Sequence, residues 1–191
     1  MHITGLVLAG GHSRRMGTDK SALVLSDGRT LLARQVDLLR QAGVDEVIVS
    51  RRPGQPPIAV PAQTLIDCAP DSGPLAGIAT ALAAMRGELL FVIAVDMPHV
   101  STAVVRQMIS LASPGRGVVP HRGDSIECLV GVYPRELAAM AAERVAAGQL
   151  RVRDFAAIAE GMGAAMRWEI PERLVPEFRN WNTPEDVKAV G

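Results

Sequence analysis

Short apolar runs recur through the first hundred residues, and each is followed by a polar or glycine-rich break. Residues 3–9, 46–50 and 89–95 are almost continuously apolar, which is the pattern of strands buried on both faces of a sheet. Residues 63–67 form a shorter strand candidate that ends in a carboxylate. The sequence therefore predicts several buried strands in this part of the chain.

Segments with helical spacing separate these strands. Residues 31–41 repeat apolar side chains every three to four positions until Gly43, and residues 73–86 form a small-residue segment opened by a Gly-Pro pair. Ser101 or Thr102 can cap a further helix that ends near residue 112. Strands that alternate with helices predict an α/β fold, here a Rossmann-like three-layer domain with a mostly parallel sheet.

The last third of the chain follows a different pattern. The predicted elements are strands at residues 118–120, 126–133 and 164–170 and helices at residues 135–147 and 151–160. The first two strands are expected to pair across residues 121–124, and the third alternates like an edge or mixed strand. Thr183 and Pro184 are expected to begin a final short helix. Because no internal repeat or linker is visible, a single domain over residues 1–191 is expected.

Composition excludes several classes of protein. The 191 residues are 48% hydrophobic and 21% charged, and 20 basic residues balance 20 acidic ones. Zero net charge argues against a broad nucleic-acid or anionic-membrane surface, and no apolar run reaches the roughly 18 residues that span a bilayer. Cys68 and Cys128 form no CxxC pair, so neither structural zinc nor a disulfide framework is expected. The N-terminal residues lack a signal sequence, which predicts a cytoplasmic protein.

The first apolar run leads directly into a glycine-rich segment with several cations. Gly10 and Gly11 are adjacent, and Arg14, Arg15 and Lys20 follow. Glycines let backbone N–H groups approach phosphate oxygens, and the cations supply charge. The spacing fits neither the dinucleotide fingerprint nor the P-loop. A phosphate site and a plain glycine turn with exposed basic residues both remain open at this point.

Two carboxylates also follow predicted strands. Asp67 ends the strand at residues 63–67, and Asp96 directly follows the most apolar strand. In open α/β sheets, ligands bind beyond the carboxyl ends of the strands, so Gly10, Asp67 and Asp96 are expected on one face. From the residues alone, Asp96 is either a turn residue or a magnesium ligand. Asp71 competes with Asp67 as the acid of the site.

The chain contains several longer motifs, which are Leu8-Ala9-Gly10-Gly11, Arg15-Met16-Gly17, Asp19-Lys20, Gly73-Pro74-Leu75-Ala76-Gly77 and Asn180-x-Asn182-Thr183-Pro184. Together they resemble the motifs of nucleotidyltransferases that couple a nucleoside triphosphate to a phosphorylated acceptor. The double glycine points, within that group, to the molybdenum cofactor guanylyltransferase family. The match covers residues 3–98 well, the middle of the chain poorly, and the residues from Asn180 onward well. The resemblance implies a nucleotide-diphospho-sugar-transferase-like fold.

The resemblance also assigns roles to individual residues. Arg15, Lys20 and Asp96 would be catalytic, and Asp96 would hold Mg²⁺ as the cofactor. The nucleotide would be bound by Leu8, Ala9, Gly10, Gly11, Lys20, Ser50, Asp67 and Asp96, with further contacts from Gly77, Asn180 and Asn182. Ser50 stands where relatives can have asparagine, and Cys128 where they often have proline, so these two positions depart from the family pattern.

The implied reaction is transfer of GMP from GTP to molybdopterin, with release of pyrophosphate. Residues 1–100 would form the nucleotide-binding half and residues 101–191 the acceptor-binding half. Proteins that insert the molybdenum cofactor, or apo-molybdoenzymes, are further candidate partners. Cytidylyl transfer to molybdopterin, nucleotidyl transfer to another phosphorylated acceptor, and a non-catalytic nucleotide-binding module remain alternatives.

Some other residues are expected to be structural. His99 is expected to cap a turn, and Trp168 and Trp181 to pack in the core or at an edge. Met140, Met162 and Met166 are likewise expected to pack against the core or within helices.

Overall fold

The computed structural model describes residues 1–11, 20–55, 57, 59–67, 69 and 72–181, and this part of the chain is built around a mixed eight-stranded sheet. The strands are β1 (Ile3–Leu8), β2 (Glu46–Arg51), β3 (Gln63–Ile66), β4 (Leu89–Ala94), β5 (Gly117–Arg122), β6 (Ser125–Ile126), β7 (Val130–Pro134) and β8 (Ala165–Glu169). Every residue of β1 and β4 is buried, as their continuous apolar sequences predict.

The sheet order is β3-β2-β1-β4-β7-β5-β6, and β8 pairs with β5. The pairs β1–β2, β1–β4, β2–β3 and β5–β8 are parallel, whereas β7 is antiparallel to both β4 and β5. The chain runs outward from β1 to β2 and β3 and then returns to β4 on the other side of β1. The carboxyl ends of β1 and β4 therefore flank a topological switch point, where α/β sheets open a crevice.

Five α-helices cover the two faces of the sheet in the described part of the chain. They are α1 (Leu31–Ala42), α2 (Gly73–Ala84), α3 (Thr102–Leu111), α4 (Ala138–Ala146) and α5 (Val152–Gly161). Thr30 caps α1 by accepting a hydrogen bond from the Ala33 amide, and Gly43 ends it with φ of 94°. Ser101 caps α3 in the same way.

The core has two parts, one on each face of the sheet. Side chains of α1 and α3 pack on one face, and those of α2, α4 and α5 pack on the other. This arrangement confirms the predicted three-layer α/β fold. Trp168 and Trp181 are buried in the first part, as expected. Met162 is 66% exposed, so its prediction as a packing residue is wrong.

The structure corrects the predicted elements in the last third. The single strand expected at residues 126–133 is divided into β6 and β7, because the chain turns at residues 127–129. The Glu127 amide donates to the Pro120 carbonyl, and the Val130 amide donates to the Glu127 carbonyl. A 3₁₀ helix at Glu172–Phe178 was not predicted. The helix expected from Thr183 lies outside the described residues.

Candidate active site

A cavity of about 360 Å³ lies at the carboxyl ends of β1, β2 and β4, next to the switch point. We call it the strand-end cavity. Its lining combines a glycine-rich backbone, two cations and two carboxylates. The lining residues are Leu8, Ala9, Gly10, Gly11, Lys20, Ser50, Arg52, Asp67, Ala69, Gly73, Pro74, Ala94, Val95, Asp96 and Leu129. Gly10, Asp67 and Asp96 are therefore brought together, as the strand-end argument predicts.

The backbone after β1 is held in place while leaving space for a ligand. The Ala9 amide donates to the Ser50 carbonyl at 3.0 Å. A Cβ at Gly10 would lie 3.1 Å from Asp67 Oδ2 and 3.4 Å from Arg52 Cγ, whereas a Cβ at Gly11 would meet open space. Gly10 thus permits close packing of the loop against the Asp67 carboxylate, and Gly11 has free space around it at the cavity lining.

The Gln55 amide connects this backbone to the end of β2. Its Nε2 donates to the Ala9 carbonyl at 3.0 Å, and its Oε1 accepts from the Arg52 amide at 2.8 Å. Sequence reasoning missed both Gln55 and Arg52, although Arg52 lines the cavity. The sequence feature that could have identified Arg52 is its position just beyond a predicted buried strand, which is the feature that identified Asp67.

Lys20 and Asp96 form an ion pair on one wall of the cavity. Lys20 Nζ lies 2.8 Å from Asp96 Oδ2, and the two side chains are 16% and 21% exposed. Lys20 Nζ also donates to the Trp181 carbonyl at 2.6 Å, and the Trp181 amide donates to the Asp96 carbonyl at 2.8 Å. A cation and a carboxylate from distant parts of the chain are therefore held together by the backbone of a third segment.

Trp181 is itself anchored by its ring. The indole is 4% exposed, and its Nε1–H donates to His99 Nε2 at 3.0 Å. The two rings meet edge to face with centroids 5.7 Å apart. His99 lies in a turn after β4, and its ring acts as the hydrogen-bond acceptor that fixes Trp181.

Asp67, Ser50 and Gly77 form a stack on the opposite wall. The Ser50 hydroxyl donates a short hydrogen bond to Asp67 Oδ1, and Ser50 is 1% exposed. Burial raises the pKa of the Asp67 carboxyl, and the hydrogen bond from Ser50 partly opposes that rise. A Cβ at Gly77 would collide with Ser50 Oγ. Gly77 therefore lies against Ser50 and does not line the strand-end cavity.

Not every residue predicted from sequence can be placed in this site. Arg15 and Asn182 lie outside the described residues, as does Asp71. Asn180 is exposed and is absent from the described cavity lining. Within the described part of the chain, no cluster of three or more His, Cys, Asp or Glu residues could hold a metal ion.

Comparison with known proteins agrees with this geometry. The family model described as "MobA-like NTP transferase domain" matches residues 5–163. The chain belongs to the MobA-like NTP transferase family. A MobA-like relative from Opitutus terrae, named "Probable molybdenum cofactor guanylyltransferase", is 36% identical over 187 residues, covering 96% of this chain and 92% of that protein. The chain is thus a nucleotidyltransferase, and the resemblance of its motifs to this group is confirmed.

Solved structures share the MobA-like fold. The molybdopterin-guanine dinucleotide biosynthesis protein A of Archaeoglobus fulgidus gives a TM-score of 0.73 at 21% identity, over 98% of this chain and 96% of that one. The manganese complex of Rv0371c from Mycobacterium tuberculosis gives 0.69 at 20% identity, over 100% and 98% of the two chains. These likenesses confirm the predicted nucleotide-diphospho-sugar-transferase-like fold. No helix among the described residues is long and apolar enough to cross a membrane.

Proposed function

We propose that this protein transfers GMP from GTP to molybdopterin, forming the guanine dinucleotide cofactor and releasing pyrophosphate. The observation that carries the proposal is the Lys20–Asp96 pair beside the Gly10–Gly11 backbone at the switch point. This arrangement offers a cation, a carboxylate and backbone N–H groups to one polyphosphate. The name of the Opitutus terrae relative, a probable molybdenum cofactor guanylyltransferase, supports a guanylyl group as the group transferred and the molybdenum cofactor as its acceptor.

Binding of GTP would use both walls of the cavity. The backbone of Gly10 and Gly11 and the N-terminus of α2 at Gly73 are proposed to present N–H groups, which attract phosphate oxygens. Lys20 supplies positive charge where pyrophosphate develops, and Arg15 is proposed to do the same. Arg52, to which the motif resemblance gave no role, adds a second cation to the cavity lining. Leu8 and Asp67 are proposed to contact the nucleoside.

The residues present fit magnesium as the cofactor. Magnesium prefers oxygen ligands and is commonly held by one or two carboxylates together with substrate phosphates. Asp96 offers such a carboxylate at the end of β4, and its Oδ2 is already directed at a cation, Lys20 Nζ. When bound, magnesium would neutralise negative charge on the phosphate oxygens.

The reaction needs little proton transfer from the protein. A terminal phosphate oxygen of molybdopterin would form a bond to the α-phosphorus of GTP, and the bond from that phosphorus to the bridging oxygen would break. The attacking oxygen is already anionic, so no general base is required. The contribution of Lys20 and the glycine backbone is to position the phosphates and stabilise charge on the leaving pyrophosphate.

The remaining assignments are also part of the proposal. Residues 1–100 would bind the nucleotide, and residues 101–191 would bind the acceptor, within one domain. Asn180 and Asn182 are proposed to contact the substrates from the C-terminal segment. The protein is proposed to act in the cytoplasm and to pass its product to a cofactor-insertion protein or an apo-molybdoenzyme.

The test is pyrophosphate release from each of the four nucleoside triphosphates in the presence of magnesium and molybdopterin. Turnover with GTP, and formation of the guanine dinucleotide by mass spectrometry, is the expected result. Turnover with CTP and not with GTP would show that the nucleotide substrate carries cytosine and not guanine. Tight GTP binding without turnover for any acceptor would instead indicate a non-catalytic nucleotide-binding module. Omission of the metal is expected to abolish product formation, and restoring magnesium should recover it.

A further inference from the structure

The buried hydroxyl of Ser50 is the feature that the reaction has not yet used. The Ser50 carbonyl accepts a hydrogen bond from the Ala9 amide, and the Ser50 hydroxyl donates one to Asp67 Oδ1, so these two groups are bound within the protein. The other Asp67 oxygen, Oδ2, lies 3.1 Å from where a Cβ of Gly10 would stand, and Gly10 and Asp67 both line the strand-end cavity. The hydrogen bond from Ser50 therefore holds the Asp67 carboxylate in one orientation beside the cavity.

Gly77 provides the space that this hydroxyl occupies. A Cβ built at Gly77 would collide with Ser50 Oγ and would lie 3.0 Å from Leu8 Cδ2. Gly77 is buried inside α2, where glycine lowers helix stability relative to alanine by about 1 kcal/mol. A glycine at this costly position is explained by the need to leave Ser50 in the orientation that reaches Asp67.

We propose that Ser50 is a positioning residue, which acts on the nucleotide through Asp67, and that Gly77 is the residue that permits this. This role for Ser50 rests on the proposed function, because it assumes that the nucleotide occupies the strand-end cavity. It differs from the sequence prediction, which gave Ser50 and Gly77 direct contacts with the nucleotide. Here Asp67 makes the contact, and Ser50 and Gly77 determine the orientation of its carboxylate.

The first test is a double-mutant cycle between Ser50 and Asp67, read by GTP affinity in calorimetry. Ser50→Ala should weaken GTP binding about tenfold in the wild-type background, the scale of losing one hydrogen bond to a charged group. In an Asp67→Ala background, the same change should have an effect of less than about twofold, because residues that act as one unit are not additive. Equal losses in both backgrounds would overturn the proposal, since Ser50 would then act independently of Asp67. Ser110→Ala, at an exposed serine of α3, is the matched control.

The second test uses Gly77. Gly77→Ala should weaken GTP binding to the same extent as Ser50→Ala, because the new methyl group displaces the hydroxyl from Asp67. When Gly77→Ala is added to Ser50→Ala, GTP binding should weaken by less than about a further threefold. This margin allows for the remaining contacts of the new methyl group with Leu8 Cδ2 and with the Cβ of residue 50. The matched control is Gly161→Ala, at a helical glycine where a Cβ would meet open space. Wild-type affinity in a folded Gly77→Ala protein would overturn the role given to Gly77.

The third test requires no nucleotide. Carboxyl ¹³C NMR of Asp67 should show that Ser50→Ala raises the pKa of this carboxyl further, because burial remains while the opposing hydrogen bond is lost. Lys20, Arg52 and Asp96 are the other charged groups among the described residues of the cavity, and all three are retained in this variant. An unchanged Asp67 pKa would overturn the present proposal. Failure of the wild-type protein to bind GTP would overturn the proposed function, and the two failures are thus distinguishable.

Discussion

The hydrogen bond between Trp181 and His99 is predicted to hold the C-terminal side of the active site in place. Trp181→Phe removes the indole N–H but keeps an aromatic ring in a position that is 4% exposed. The bond is neutral and 3.0 Å long, so its loss should cost about 1 kcal/mol, and the smaller ring should cost about 1 kcal/mol more. The expected decrease in the free energy of unfolding is therefore about 2 kcal/mol, measured by urea denaturation.

The reciprocal change separates the hydrogen bond from packing. His99→Leu leaves the indole N–H buried without an acceptor, which should cost about 1–3 kcal/mol. His99→Gln retains a side-chain acceptor and should recover part of this loss. In the double variant of Trp181→Phe and His99→Leu, the two effects should overlap by about 1 kcal/mol. Fully additive effects would refute the reasoning, because they would show that the two side chains contribute independently.

The same variants should alter the active site locally. The backbone amide at position 181 donates to the Asp96 carbonyl, and the carbonyl at that position accepts from Lys20 Nζ. Hydrogen exchange of this amide should therefore become about tenfold faster in Trp181→Phe, the factor that corresponds to about 1.4 kcal/mol. An amide that retains its wild-type protection would show that the ring does not control the backbone contact with Asp96.

Three further changes test other parts of the structure. Asp96→Ala should reduce the rate of GMP transfer by at least about a hundredfold. Its thermal unfolding midpoint should stay within about 3 °C of that of the wild type. Full activity of this variant would exclude Asp96 from catalysis. Burial raises the folded-state pKa of Asp67, so ionisation of this carboxyl destabilises the folded protein as pH rises. Asp67→Asn should therefore stabilise the protein at pH 7 and lose this advantage in acid. Thermal unfolding midpoints measured across a range of pH would test this. The same variant should bind GTP more weakly. Gly117→Ala would place a methyl group against the Val132 carbonyl, and a loss of at least about 3 kcal/mol in urea denaturation is expected; unchanged stability would contradict the close packing of β5 on β7.

The parallel part of the fold is predictable because its strands are buried on both faces. Val7 and Phe91 belong to segments in which every residue is buried, so the apolar run alone identifies β1 and β4. Thr30 and Gly43 mark the ends of α1 by local chemistry. The division between β6 and β7 was missed because the turn at residues 127–129 depends on two main-chain hydrogen bonds, one to Pro120 and one within the turn, and main-chain bonds leave no periodic pattern in the sequence.

The candidate site was predictable only where side chains follow strands. Gly10, Asp67 and Asp96 could be grouped because parallel strands end at the same edge of a sheet. Trp181 contributes through its main-chain amide and carbonyl, which every residue type except proline possesses, so its sequence identity says nothing about this role. Gln55 likewise acts through contacts with backbone atoms, one of them 46 positions away in the chain.

The bond from Lys20 to the Trp181 carbonyl joins residues 161 positions apart. The last strand in the described part of the chain, β8, ends at Glu169, whereas Trp181, whose carbonyl accepts from Lys20, follows twelve residues later, at 181 against 169. A nascent or clipped chain that stops at Phe178 would therefore have every strand of the sheet but an unfinished cavity wall. Loss of the C-terminal segment would therefore remove the main-chain contacts of Trp181 with Lys20 and Asp96 and leave the strand residues themselves in the chain.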